Sequence, residues 1–359
     1  TLMILLPYLN TASNEVFENN RALLKELLQH TNPQIPRFIM EWIEENIFHL
    51  SLNLMRELGM HGFISSKKIV PMFNSLDPKR RATSAIIILN SHYPDDLSRA
   101  SEIIHSLIYD DKIENISEGI FALGESKHSE YAFFISKFLR HSDDKIRIQA
   151  LRALYTLADT NLSRLIPEIL SIFKEASAQE REISIEILKK IKDSQCIIPM
   201  LKESDILTPY ERRNIILLIK DFGLQTVPSI VTVLVEDRFS YSARSIAART
   251  LGSLAFAQFK SLEEELIRNE IQRAYKYLHK HFMIEKSLNK DSHKRLQLLS
   301  AFYKDIHKNV LEFILELLTI GGRLPDFEMI KTAINSDNAK SRGNAIETIE
   351  QSTDKNIFA

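Results

Sequence analysis

"SDDKIRIQALRALYTLAD", Ser142 to Asp159, opens on an acidic turn and places Arg147 four residues after Asp143. Ile148, Leu151, Leu154 and Leu157 then follow at spacings of three. Apolar residues recurring at three and four form one stripe along an α-helix. If the stretch occurs once it is an ordinary helix. If it recurs, it sets the architecture of the chain.

It recurs. With Leu157 taken as the residue closing its helix, equivalents stand at Leu58, Leu89, Leu123, Ile191, Phe222 and Leu254, separated by 31, 34, 34, 34, 31 and 32 residues. Ten residues before the anchor, Arg147, Arg181, Arg212 and Arg244 form a second register, while the earlier units hold Lys79 and Ile113 there. Two registers in step over a hundred residues mark an internal repeat. Upstream of each anchor helix lies an apolar segment, "YAFFISKFL", "RLIPEILSIF", "IIPML" or "VPSIVTVLV". Pro167, Pro199 and Pro228 stand near the start of three of them, where a helix tolerates a missing N–H. Each unit reads as helix A, a polar turn and helix B, with apolar residues on too many sides to be stable alone, so that stacking must cover them.

Composition agrees with an extended helical array. A chain of 359 residues exceeds the size at which one core usually stops growing, and 44% hydrophobic residues leave enough to bury. Glycine (9) and proline (11) are few, and runs alternating at period two are scarce. The expected class is all-α. A net charge of −1 provides no bulk attraction to nucleic acid or anionic membrane. A single cysteine, Cys196, excludes an intrachain disulfide framework and points to a cytoplasmic location. The longest uncharged stretches, such as 1–14 and 222–235, fall short of the roughly 20 residues that span a bilayer. The apolar "TLMILLPYL" begins at Thr1 and lacks the charged start of a signal peptide, so the chain is read as a piece of something longer.

The segments "DDKIRIQALRAL", "QEREISIEIL", "YERRNIILLI" and "SARSIAARTLG" resemble HEAT repeats of the short bacterial, phycobilin-lyase-like form. That resemblance implies a right-handed α-solenoid of stacked helical hairpins with atypical helical caps, in which an acidic turn residue and the arginine form a ladder between repeats. Glu180 and Glu211, each directly before its arginine, depart from the acidic-turn pattern. The arginines are expected to bind carboxylates or carbonyls of the next turn and hold the repeats in register.

The expected organisation is an N-terminal helical cap over 1–65, a repeat array over 66–260, and a helical region over 261–359 ending in a HEAT-like hairpin. Two or three helices precede Leu58, with a break at 32–36, and Trp42, Phe38, Ile39, Ile43 and Phe48 are expected to form the core of the cap. Gly321 and Gly322 stop a helix, and Arg342 before "NAIETIE" restores the motif. The tail "LPDFEMIKTAINSDNAKSRGNAIETIEQ" after such an array resembles the soluble HEAT module of bacterial ATP/ADP-translocase-like transporters. This resemblance, from about residue 66 onward, implies the cytosolic appendage of a membrane protein.

The sequence has no phosphate-binding glycine loop, dinucleotide fingerprint, metalloprotease pair or serine elbow. His279 and His281 lie two apart on a helix and point different ways, so no metal site is expected. Glu263 to Glu265 read as a solvated helix face, and Cys196 as a packed thiol at the start of a helix A. The segment 286–295, "KSLNKDSHKR", is the most basic local stretch. No catalytic residue, cofactor or metal is expected. The expected contact surface is the stripe of helix B opposite Leu151, Leu154 and Leu157: Gln149, Arg152 and Thr156, then Glu186 and Lys190, then Asn214 and Asp221, then Arg249 and Ser253. In HEAT arrays this stripe lines the concave face. Its mixed sign suits a polypeptide better than a phosphate backbone. The expected function is therefore a non-enzymatic protein-interaction scaffold or regulatory module, with Arg152→Glu and Arg249→Glu leaving folding intact. The alternative is a HEAT-like alkylpurine DNA glycosylase or another DNA-acting protein; a pigment lyase is a further possibility.

Overall fold

The computed structural model describes residues 2–29, 34–90, 96–287 and 294–352, and every regular element among them is helical. The class is all-α, built of HEAT-like helical hairpins stacked on their neighbours. Helices divide between two compact units, Thr1–Ile191 and Lys192–Ala359.

The first unit begins with α1 (Leu2–Thr11), α2 (Asn14–Leu28), α3 (Gln34–Asn46) and α4 (Leu52–Met60). The apolar opening is thus helical, and α1 packs on α2 and α4 with Leu2, Leu6 and Leu9 buried. In α3, Ile39 and Ile43 are buried and Trp42 is half-buried. The side chain of Phe48 and residues 30–33 lie outside the described set. The short α5 (Ser66–Ile69) precedes α6 (Pro78–Leu89), followed by α7 (Leu97–Ile108), α8 (Ile113–Glu125) and α9 (Tyr131–Ile135). Next come α10 (Asp144–Leu157), α11 (Ile166–Ser171) and α12 (Ala178–Ile191).

The second unit runs through α13 (Ile197–Lys202), α14 (Pro209–Phe222), α15 (Val227–Val235) and α16 (Tyr241–Leu254). Two long helices follow, α17 (Phe256–Ser287) and α18 (Lys294–Ile320), which pair along their length. The unit closes with α19 (Phe327–Ile334) and α20 (Ala339–Ser352).

Four successive B helices, α10, α12, α14 and α16, have 14 residues each and end on Leu157, Ile191, Phe222 and Leu254. Their starts are written in local chemistry. Asp143 accepts from the Lys145 N–H at 2.9 Å, and Ser240 accepts from the Ala243 N–H at 3.3 Å. Thr208 and Glu211 form a capping box, and Ser177 and Glu180 exchange the same pair of bonds. The A helices are short because 3-10 turns supply part of each, as at Ser136–Arg140 after α9 and Leu224–Thr226 before α15. Pro167 and Pro228 occupy the first turn of α11 and α15.

Two of the register arginines, Arg147 and Arg244, meet carboxylates of a following helix, as expected, whereas the carbonyls they bind are not those of the next turn. Arg147 donates through Nε to Glu180 at 2.6 Å, and through Nη1 to the carbonyls of His141 and Ser142 at 3.0 and 3.1 Å. Those carbonyls lie in the turn before helix B, not the next turn, and the acidic turn residue Asp143 is consumed as a helix cap. Arg181 likewise donates to Ala176, and Arg342 to Ser336 at 2.7 Å. Within the second unit Arg244 is buried, donating to Leu234 at 2.9 Å and pairing with buried Glu270 at 2.7 Å.

One further expectation is corrected. Glu263 does not face solvent: it is buried and pairs with Lys260 at 2.6 Å and Arg323 at 3.2 Å, while Glu264 and Glu265 are exposed. Gly321 and Gly322 end α18 as expected, in a Schellman arrangement where Arg323 N–H donates to Leu318 and Gly322 N–H to Thr319, with Gly322 at φ +73°.

Candidate functional site

A sizeable groove is present in each unit. In the first unit a 360 Å³ groove is lined by side chains of α4, α6 and α8 together with Gln149 of α10. Its charged members are Arg56, Lys79 and Glu118. Burial, followed by the partly offsetting field of Lys79, leaves the Glu118 carboxyl above its ordinary value. Arg56 is buried and lies 5.3 Å from the centre of the Phe121 ring.

In the second unit a groove of 790 Å³ runs over α16, with α14 contributing one wall and α18 and α19 the other. From α14 come Arg212, Arg213 and Ile216; from α16, Tyr241, Ser242, Ser245 and Arg249; from α18, Glu312, Phe313 and Glu316; from α19, Phe327, Glu328 and Lys331. Some of these charges are already matched. Glu316, itself buried, accepts from Ser245 at 2.7 Å and from Arg249, and Lys331 pairs with Glu312 at 2.9 Å. Tyr241 donates to Glu270 at 2.8 Å; burial first, then the Glu270 charge, push its phenol upward, so it remains protonated. Others are not matched. Arg212 Nε is buried with no hydrogen-bond partner among the described residues, and exposed Arg213 has no ion pair among them. Arg213 is therefore open to an acceptor brought by a ligand, and the Arg212 Nε is a donor left unmatched beneath it.

The nine stripe residues are distributed unevenly over this geometry. Arg152, Thr156 and Glu186 are exposed, and Gln149 is half-buried in the groove of the first unit. Lys190 is less free than its sequence position suggests. It donates to the Tyr155 carbonyl at 2.7 Å and lies 3.7 Å from the centre of that ring, and burial, against the pull of Glu186, lowers its affinity for a proton. In the second unit Asp221 and Ser253 are exposed and Asn214 half-buried; of that unit's stripe only Arg249 lines the groove. Arg249 is tied to buried Glu316, so reversing its charge would set two carboxylates together at the edge of the core. The expectation that Arg249→Glu leaves folding intact is therefore corrected.

Sequence reasoning missed Ser242 and Ser245, although they lie seven and four residues before Arg249 and extend the same face by about two turns and one turn. It also missed Glu312, Glu316 and Lys331, which stand beyond the last anchor, where no period pointed to them.

The remaining chemical candidates lie outside both grooves. Cys196 ends a 3-10 turn before α13, fully buried, with its thiol pushed up to about 12 by burial and then by Asp193. No cluster of metal-ligating side chains is present among the described residues. His281 contacts Ser300 and Glu285, while His279 is exposed. Most of the basic stretch at 286–295 lies outside the described residues. No single described helix is long and apolar enough to cross a membrane.

No protein-family model and no curated protein sequence matches the chain. Among solved structures, the complex of CpcE and CpcF of phycocyanin lyase from Nostoc sp. is similar over 81% of this chain and 95% of that one, at 13% identity and a TM-score of 0.34. An archaeal HEAT-like repeats protein from Thermococcus onnurineus is similar over 69% of this chain and 98% of its own, at 16% identity and a TM-score of 0.31. Human deoxyhypusine hydroxylase in complex with glycerol is similar over 81% and 99%, at 11% identity and a TM-score of 0.24. The HEAT-like helical repeat fold stands on the paired helices and arginine contacts described above.

Proposed function

We propose that this chain is a non-enzymatic interaction scaffold or regulatory module that holds a polypeptide partner, with the groove over α16 as its main seat. The observation that supports this reading is exposed Arg213 beside the unpartnered Arg212 Nε, in a groove that also presents Asp205, Glu328, Tyr241 and Phe327. Arginine beside aromatic rings suits carboxylates and backbone carbonyls of a peptide. The acidic side chains work against a phosphate backbone, which demands a predominantly basic track.

In this reading Gln149, Arg152, Thr156, Glu186 and Lys190 in the first unit, and Asn214, Asp221, Arg249 and Ser253 in the second, are contact residues on the B-helix face. Residues 66–260 constitute the repeat array between a cap and a C-terminal helical region. We place the protein in the cytoplasm, a reading supported by a lone, buried, unreactive cysteine. Attachment to a nucleotide-transporter-like membrane domain is part of the same proposal and rests on the resemblance of the C-terminal segment.

The test is a displayed peptide library panned on the full chain and counter-selected on Arg213→Glu. Acidic peptides that bind the parent and bind the variant about tenfold more weakly, a loss of the size expected for an interface arginine, at an unchanged melting temperature support the reading. Failure to select any peptide, together with salt-dependent capture of duplex DNA, refutes it.

A further inference from the structure

The groove of the first unit lies where helix starts meet. Leu52 and Asn53 open α4, Lys79 is the second residue of α6, and Ser117, Glu118 and Phe121 lie along α8, which packs on α6. At 360 Å³ the groove is at the small end of ligand pockets, the size of a metabolite. Its charges divide into those already answered and those not. Buried Arg56 pairs with Glu18 at 3.7 Å and Glu125 at 3.9 Å. The side chains of exposed Lys79 and half-buried Glu118 have neither a hydrogen bond nor an ion pair among the described residues, although the field of Lys79 reaches Glu118. The other carboxylate felt at Glu118 is Asp77, which caps α6 and pairs with Arg80 at 3.9 Å.

The repeat register explains why Lys79 is left over. It holds the place of Arg147, whose partner Glu180 stands eleven residues before the anchor Ile191. Eleven residues before the anchor Leu123 stands Lys112, so the ladder offers Lys79 no carboxylate. The Thr83 and Ser117 hydroxyls in the same groove are likewise unbonded among the described residues. One cation and one carboxylate that feel each other in a groove without touching select what can fill it. A ligand that is only an anion would face Glu118, and one that is only a cation would face Lys79. A molecule with both charges on one carbon answers both. The first N–H groups of a helix have no acceptor within it and favour an anion, so the start of α4 adds to the side of the ligand's carboxylate.

We propose that this groove binds a free α-amino acid, its carboxylate at Lys79 and the start of α4, its ammonium at Glu118, and an apolar side chain against Leu52 and Phe121. The Thr83 and Ser117 hydroxyls supply further hydrogen bonds. The site belongs to the first unit and does not rest on the reading of the α16 groove.

The test is calorimetric titration of the full chain with each of the standard amino acids, then of the tightest of them against its N-acetyl and amide derivatives. The expected result is one-to-one binding, tightest among the apolar members, and weakened about tenfold or more when either charge of the ligand is blocked, the loss of one charged hydrogen bond. Lys79→Ala and Glu118→Gln each weaken it to the same degree. Both variants melt no lower than the parent, because neither side chain is bonded within the fold. Absence of heat with every amino acid at millimolar concentration overturns the proposal. An N-acetyl derivative that binds as tightly as the amino acid makes the groove a plain anion site and overturns it too, as does an amide that binds equally well, or binding that both substitutions leave unchanged.

Discussion

Arg147→Ala puts the repeat ladder to its sharpest test. Glu180 is 2% exposed in its side chain and Arg147 27%, so the two partners lose unequally when the other is removed. Truncating Arg147 leaves a buried carboxylate held by Ser177, whose N–H donates at 2.7 Å. An uncompensated buried charge costs about 3 kcal/mol. The two lost bonds to His141 and Ser142 add roughly 0.5 kcal/mol each at most, because those carbonyls reach water once the guanidinium is gone. Glu180→Gln keeps the shape and an acceptor for Ser177 and leaves a guanidinium that water can reach, so its cost is about 1–2 kcal/mol. The double variant should then cost about 3 kcal/mol, well short of the sum, because the first removal has already spent the shared interaction. Urea titrations at constant m-value read all three.

The same pair has a pH signature. Burial would raise the Glu180 carboxyl, but the Ser177 N–H and Arg147 outweigh it and hold it below 4.5. A depressed acid contributes stability above its unfolded value and loses it as pH falls through the folded one. The gap between parent and Arg147→Ala must therefore narrow below pH 4.5. A cost under about 1 kcal/mol, strict additivity, or a gap that persists into acid would refute the ladder argument.

Four other outcomes are expected. Leu154→Ala, at a position 1% exposed, should cost about 3 kcal/mol in urea titrations through the cavity it leaves. Gly321→Ala drives a Cβ into the Glu263 carboxylate and should cost over 2 kcal/mol, whereas Gly322→Ala, strained only by its positive φ, should cost about 1 kcal/mol, both read from thermal melts. Burial, then His281, lowers the His307 pKa below 6.5; a base so depressed takes up its proton more readily unfolded, so stability should fall as pH drops through 6.5, and less so in His307→Gln, as urea midpoints would show. Arg249→Glu should lower the melting temperature by orphaning buried Glu316, while Arg213→Glu should not.

The chain's local grammar determined a great deal. The spacing of anchors predicted where α10, α12, α14 and α16 end, because a helix's apolar stripe and its stop are written within a few residues. The arginine register was legible for the same reason, and so was the end of α18 at paired glycines. Tertiary structure decided what those residues meet. Nothing local says that Arg147 reaches across 33 residues to Glu180, that Ser245 reaches across 71 to Glu316, or that Glu263 is enclosed while Glu264 is not. The groove over α16 was hidden likewise, since half its wall comes from α18 and α19, outside the repeat period. Helical periodicity specifies which face of each helix is buried; only the packing of one helix on another decides whether a charge on the remaining face stands free or is already matched.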